Sequence, residues 1–278
     1  MSSRRWLGIV ALVCAVAAPA RAGTPAPVPA VTAAEVVARN AAARGGVEAW
    51  HKLRTLAWAG HVESAAAPQR NLPFLLEQMR PDRTRFEIGA GGQRALRVYD
   101  GTAGWRVRAT PSGRPEMKPY TEEELRFARG AQVIDGPLMD YVAKDALVSL
   151  AGVGETDGRK AYVLAVQLPS GGDHRLWIDA ETYLELRQDR QVGSSLGKPV
   201  RSTVFYRDYR TFEGLQMPTT IETVEADGKA KNRLVIEKVA LNPEFDDKMF
   251  AKPEMVSIRH NGVTVDTRSA AAGASQTR

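Results

Sequence analysis

Four histidines, one cysteine, one glycine-flanked serine and a run of three glutamates are the first residues to test for chemistry. His51, His61, His174 and His260 could ligate a metal or act as a base. No two of them stand at the i, i+4 spacing that sets a pair of imidazoles on one helix face. His174 and Asp179 are five residues apart on an expected strand and so point to opposite faces. Each histidine therefore reads as a surface residue rather than a ligand. Ser170 precedes Gly171-Gly172 but lacks the G-x-S-x-G elbow that exposes a nucleophile. Glu122-Glu123-Glu124 opens an expected helix, where the macrodipole favours carboxylates, and no calcium-loop template surrounds it. "RVYDGTAGWRV", Arg97 to Val107, could cradle a phosphate in its glycine loop. Such a loop needs a following helix and a Lys or Ser/Thr contact, and neither is present. The simpler reading is an Asp100-Gly101 hairpin turn, then a strand bearing Trp105. No catalytic constellation emerges. The expectation is a non-enzyme without cofactor or metal.

The N-terminus sets the expected compartment. Arg4 and Arg5 precede an apolar run from Trp6 to Ala18, Pro19 breaks it, and Ala20-Arg21-Ala22 offers small residues at the cleavage-reading positions. That is a secretory signal peptide, residues 1–22, cleaved after Ala22 for export to the periplasm. The alternative is an uncleaved anchor, against which the run is short for a bilayer. Cys14 lies inside the run. It could be an acylation site, but bulky Val13 stands where a small residue is wanted. Without the signal the chain has no cysteine, which removes disulfides and thiolate metal sites. Losing Arg4, Arg5 and Arg21 leaves 35 of the 38 basic residues against 32 acidic ones, so net charge falls from +6 to +3. That mild balance gives no reason to expect nucleic acid.

The elements come next. Prolines 25, 27 and 29 mark residues 23–31 as an extended leader. Thr32-Ala33-Ala34-Glu35 fits a capping box. A helix is expected from Ala33 to about Arg44, stopped by Gly45-Gly46, and a second over Val47–Leu53. Strands are then expected near 56–63, 73–79, 83–89, 94–99 and 104–109, and again near 147–153, 160–168, 174–179, 184–190, 201–209, 215–225 and 232–241. Asp157-Gly158 and Asp227-Gly228 read as hairpin turns, and Gly171-Gly172 does similar service. Two helices interrupt the strands. One is capped by Thr121 and Glu124 and ends at Gly130. The other starts at Asp135-Gly136-Pro137 and carries Leu138, Met139, Tyr141 and Val142. So many strands without alternating helices make an antiparallel sheet. Strand 160–168 is apolar on both faces, as in a large curved sheet with helices packed into its concave side. The Ala/Ser/Gly-rich tail from Arg268 reads as disordered.

The large apolar residues are spread one per strand. Trp58, Phe74, Phe86, Trp105, Trp177 and Phe205 lie on strands, and Phe127, Leu138 and Tyr141 on the inserted helices. They either fill a core or line an apolar cavity, since lining and filling use one alphabet.

Several motifs carry a family resemblance. "EQMRPDRTRF", Glu77 to Phe86, and "YDGTAGW", Tyr99 to Trp105, look like the Arg-Pro strand and Asp-Gly-x-x-x-Trp hairpin of the periplasmic lipoprotein carrier LolA and its relatives. The inserted helix pair follows in the same order. So do "WIDAETYL" from Trp177, Asp208-Tyr209, "GLQMP" from Gly214, and Asn242-Pro243 leading to Phe250. This later set resembles outer-membrane lipoprotein-sorting-like proteins. The resemblance spans about residues 33–255. It implies a mainly β fold with short helices: an unclosed antiparallel β-barrel of about eleven strands covered by a helical lid. It implies an apolar cavity lined by Trp58, Phe74, Phe86, Trp105, Phe127, Leu138, Tyr141 and Trp177. It places at Arg80 the arginine that holds the lid. A solvent-exposed strand-end arginine is the alternative there. The expected domain is 32–255, with 256–278 a partly disordered C-terminal extension. The implied function is a non-catalytic periplasmic carrier for an acylated or lipidic ligand, acting as a monomer. Its partners would be lipoprotein acyl chains or another lipid, with membrane-bound donor and acceptor proteins. The alternative is a periplasmic sensor or protein-interaction module whose core is filled by its own side chains.

Overall fold

The computed structural model describes residues 31–65, 71–90, 93–110, 115–131, 134–169, 171, 173–193, 199–225 and 231–254. The expected signal peptide, Cys14, all of the leader except Val31, Ser170, the Asp227-Gly228 turn, His260 and the C-terminal extension lie outside them. From Thr32 onward the described residues form one compact unit.

Two helices come first: α1 (Ala33–Ala43) and α2 (Val47–Lys52). Thr32 and Glu35 cap α1 reciprocally, as their spacing predicts. Gly45 and Gly46 end it with φ of 109° and 89°, which a Cβ would oppose. Six strands follow: β1 (Thr55–Ser64), β2 (Leu72–Met79), β3 (Arg83–Ala90), β4 (Gln93–Tyr99), β5 (Gly104–Ala109) and β6 (Pro115–Pro119). Helix α3 (Glu122–Ala131) comes next. Seven more strands complete the sheet: β7 (Leu147–Thr156), β8 (Arg159–Gln167), β9 (Asp173–Asp179), β10 (Glu185–Gly193), β11 (Pro199–Phe212), β12 (Leu215–Glu225) and β13 (Lys231–Leu241). A short 3₁₀ turn, Asp247–Phe250, ends the described chain's regular structure.

All thirteen strands form one antiparallel sheet, ordered β6-β5-β4-β3-β2-β1-β13-β12-β11-β10-β9-β8-β7. The chain therefore builds outward from β1 to β6, crosses through α3, and returns from β7 to join β13 to β1. The sequence pattern misses one strand, β6, which is short and begins and ends on proline. It lies at the sheet edge, where the missing N–H groups are tolerated.

The sheet curls without closing. Glu124 of α3 binds Arg97 of β4 at 2.6 Å and Arg106 of β5 at 2.7 Å. Phe127, one turn later, has the Arg190 guanidinium of β10 over its ring at 5.2 Å. On a flat sheet β4 and β10 would stand about 34 Å apart at the usual strand spacing. A ten-residue helix is about 15 Å long. One helix can touch both strands only if the sheet wraps round it.

One expected helix does not form. Residues 134–145 are a succession of turns. Gly136, Asp140 and Asp145 take left-handed φ values of 76°, 51° and 52°, which interrupt helical hydrogen bonding. Lys144 then gathers the segment, its ammonium donating to the carbonyls of Gly136 and Met139. This turn segment packs with α1 and α2 on the same side of the sheet. Ala41, Trp50, Leu53, Leu56, Ile134, Met139, Leu215 and Met217 form one buried cluster there, with Trp58, Val239 and Leu241 against it.

Candidate functional site

Strand register decides which residues share the helix-bearing face. Trp58 pairs with Leu76 and Val239, Leu76 with Phe86, and Phe74 with Ile88. These side chains therefore line one face, and Trp58 also touches the cluster beneath α2. Phe74 and Phe86 meet as a tilted pair, 6.0 Å between ring centroids. Val62, Phe74 and Ile236 are buried, whereas Trp58, Leu76, Phe86, Ile88, Ile221 and Leu234 stay partly exposed against them. The Trp58 indole N–H is buried with no hydrogen-bond partner among the described residues. The face is thus an apolar wall that remains partly open.

Trp105 and Trp177 do not belong to this wall. Trp105 pairs with Val98, which pairs with Arg85, on the opposite face. Its neighbour Gly104 takes the inward position, because the Tyr120 ring lies where a Cβ would be, 2.1 Å away. Trp177 pairs with Val163 and Arg187 on the outer face, while Leu176 and Ile178 turn inward and are buried. The Arg187 guanidinium sits 4.3 Å above the Trp177 ring. Period-two alternation makes either tryptophan or its neighbours inward, and the smaller residues took that side. Leu138 is fully buried and Tyr141 half-buried, both in the turn segment rather than on a helix. Phe127 stands on α3 as expected, but its recorded partner is Arg190 and not the aromatic wall.

Arg80 ends β2 at the base of the helices. Its Nε donates to the Leu53 carbonyl at 2.8 Å, and its Nη2 to the Trp50 carbonyl at 3.1 Å and to Asp135 Oδ2 at 2.8 Å. Lys144 donates to the other Asp135 oxygen at 2.5 Å. Burial works to raise the Asp135 carboxyl, but Lys144 and Arg80 outweigh it and hold the pKa below the usual value. Burial pulls the Lys144 ammonium down against the opposing pull of Asp135. Both directions fit two cations sharing one carboxylate. Arg44 makes a parallel link, binding the Asp135 carbonyl at 2.8 Å and Glu185 at 3.2 Å. The Tyr209 hydroxyl reaches the same Glu185. So β2, α2, the turn segment and β10 are tied at one end by charge.

The β9–β11 side of the interior sets polar groups among Leu176, Ile178 and Val204, which sequence reasoning missed. Gln188 and Arg190 of β10 face inward with Val204 and Ser202 of β11. The Tyr206 hydroxyl donates to Gln188 Oε1 at 2.8 Å, and Gln188 Nε2 contacts His174 Nδ1 at 3.3 Å. His174 is therefore buried, not on the surface as its isolation suggested. His51 is exposed beside Asp140, and His61 pairs with Glu237 and Glu63. Burial pushes the Tyr206 phenol up to about 12, so it stays neutral. The one available signal was that strand 184–190 carries polar residues on both parities beside apolar neighbours. Among the described residues, no group of three or more His, Cys, Asp or Glu side chains could hold a metal.

No protein-family model matches the chain, and no curated protein does. Solved structures do. A LolA superfamily protein from Nitrosomonas europaea is similar at 16% identity and a TM-score of 0.52, over 80% of this chain and 99% of that one. A DUF1329 family protein from Desulfovibrio piger is similar at 12% identity and a TM-score of 0.50, over 79% and 97%. A putative outer membrane lipoprotein-sorting protein domain from Vibrio parahaemolyticus has 13% identity and a TM-score of 0.49. The fold is that of the LolA superfamily structure, with thirteen strands where about eleven were expected.

Proposed function

We propose that this protein is an exported, non-catalytic carrier that binds an acylated or lipidic ligand between the curled sheet and α3. The observation that carries the proposal is the apolar wall. Trp58, Leu76, Phe86, Ile88, Ile221 and Leu234 face the helices yet stay partly exposed. An interior packed by its own side chains would bury such residues. Each buried CH₂ of a ligand contributes about 0.8 kcal/mol, so a long acyl chain needs few polar contacts to bind. Helix α3 would act as the lid, and Arg80 would couple that lid to the base through Asp135. In this reading the signal peptide is removed after Ala22, domain 32–255 works in the periplasm as a monomer, and membrane-bound proteins load and unload it.

The test is direct. The delipidated protein should bind an apolar fluorescent probe at micromolar concentration or below, equivalent to about 8 kcal/mol. A fatty acid should displace the probe, and tryptophan emission should shift as Trp58 changes surroundings. Absence of probe binding by folded, delipidated protein means that the wall merely closes a core. The rival reading, a sensor or protein-interaction module, would then stand. It draws on the exposed Leu147 and Val153 of edge strand β7 and on Val142.

A further inference from the structure

Among the described residues, Arg190 is a cation without an anion. It points to the helix-bearing face with Gln188, and its Nε is buried with no hydrogen-bond partner among those residues. Its one ring contact among them is Phe127 of α3, 5.2 Å from the guanidinium carbon. Three carboxylates on the same elements have other partners. Asp189 points outward and binds Arg187 and Thr203. Glu185 is held by Arg44 and Tyr209. Glu124 of α3 is held by Arg97 and Arg106. The polar groups beside Arg190 form a chain, Tyr206 to Gln188 to His174, in which burial keeps the Tyr206 phenol neutral. Burial accordingly pushes the Arg190 guanidinium below its usual pKa, against a small opposing effect of Tyr206. A buried guanidinium is ordinarily matched by a carboxylate, a phosphate or a set of carbonyls, because desolvation without them is costly.

Arg190 also lies in a telling place. It is under the lid helix, across the curled interior from the Trp58–Phe74–Phe86 wall. An apolar wall facing one unpaired cation is complementary to an amphiphile. We propose that Arg190 anchors the anionic head, a carboxylate or phosphate ester, of a ligand whose acyl chain lies along that wall. This rests on the carrier reading and specifies its ligand class. Because Phe127 covers the same guanidinium, head-group binding would be felt directly by α3.

The experiment uses the full chain, delipidated, with displacement of an apolar fluorescent probe at neutral pH. The competitors are laurate, dodecyl phosphate, dodecanol, acetate and inorganic phosphate. Laurate and dodecyl phosphate should compete about tenfold or more better than dodecanol, the gain expected of charge-assisted hydrogen bonds. Acetate and phosphate should not compete at those concentrations. Arg190→Gln and Arg190→Leu should bring the acid and the alcohol within twofold of each other while dodecanol affinity holds. Arg190→Lys should retain a preference for the acids. The melting temperature of ligand-free Arg190→Leu should equal or exceed that of the wild type, because an uncompensated charge has been removed. Equal binding of laurate and dodecanol by the wild type overturns the anchor and leaves the carrier. A preference that survives Arg190→Gln, or a large fall in melting temperature for all three variants, also overturns it. Competition by acetate or inorganic phosphate at laurate concentrations would make the site a free-anion site instead. If neither dodecanol nor the probe binds, the carrier reading itself falls.

Discussion

At the scale of single residues, Asp135 bears the most consequence. Its side chain is 2% exposed and accepts from both Arg80 and Lys144. Removing its charge leaves two partly buried cations facing each other. Asp135→Asn should therefore destabilise the protein by about 3 kcal/mol, read as a lower urea midpoint at neutral pH. The acid dependence has a definite sign. The folded pKa of Asp135 is depressed. Its contribution is fully present above the unfolded value, near 3.9 for an aspartate, and is lost as pH falls through the lower folded value. Wild-type stability should fall more steeply below about pH 4 than that of Asp135→Asn. Parallel slopes would show that this carboxylate does not drive the acid response.

At the scale of elements, α3 is attached differently at its two ends. Its N-terminus has the Thr121–Glu124 capping box, and Glu124 also binds Arg97 and Arg106. Further along, Phe127 meets Arg190 and Ala128 packs with Tyr99 and Tyr120. Loosening the charged end should free the helix to move. Glu124→Gln weakens the cap and removes two ion pairs at a half-exposed site, so stability should change by only about 1 kcal/mol. Probe release, followed by stopped-flow fluorescence, should quicken by a larger factor than the equilibrium stability suggests. Strand β5 offers a sharper test of packing. A Cβ at Gly104 would meet the Tyr120 ring at 2.1 Å. Tyr120 packs with Tyr99 and Ala128, which seats α3. Gly104→Ala should cost about 2 kcal/mol by overpacking, and melting should show it. An unchanged melting temperature would mean that Tyr120 can move aside freely.

For the whole molecule, one sheet with two free edges and a helix-bearing interior sets the behaviour. Chain closure runs through β1 and β13, the central pair, and not through β6 and β7. The wall on β1–β3 is apolar throughout, whereas β9–β11 add His174, Gln188, Arg190 and Tyr206 to their inward Leu176, Ile178 and Val204, so the interior is two-sided. Among the described residues no cluster of three or more His, Cys, Asp or Glu could hold a metal. Melting temperature should be the same with and without EDTA, because a metal bound only by the native state would add to stability. A drop of several degrees on chelation would reveal a site among residues outside those described here.

Local chemistry was readable from the sequence. The capping boxes at Thr32 and Thr121, the left-handed Asp157-Gly158 turn and twelve of the thirteen strands follow from hydroxyl spacing, positive φ and period-two alternation. The motif resemblance pointed to the right fold. Three features were not readable, each for a physical reason. Alternation says which residues share a face but not which face is inward, so Trp105 and Trp177 were assigned to the wrong side. Turn-forming Asp140 and Asp145 broke a segment that Pro137 and its apolar neighbours made look helical. The interior around Arg190 joins β10 and α3, which lie about sixty residues apart in sequence, and a charge without a partner among the described residues is visible only once they are placed in space. Local rules determined the elements and their ends. Only the curl of the sheet round α3 decided which side became the interior, and which residues were left facing it.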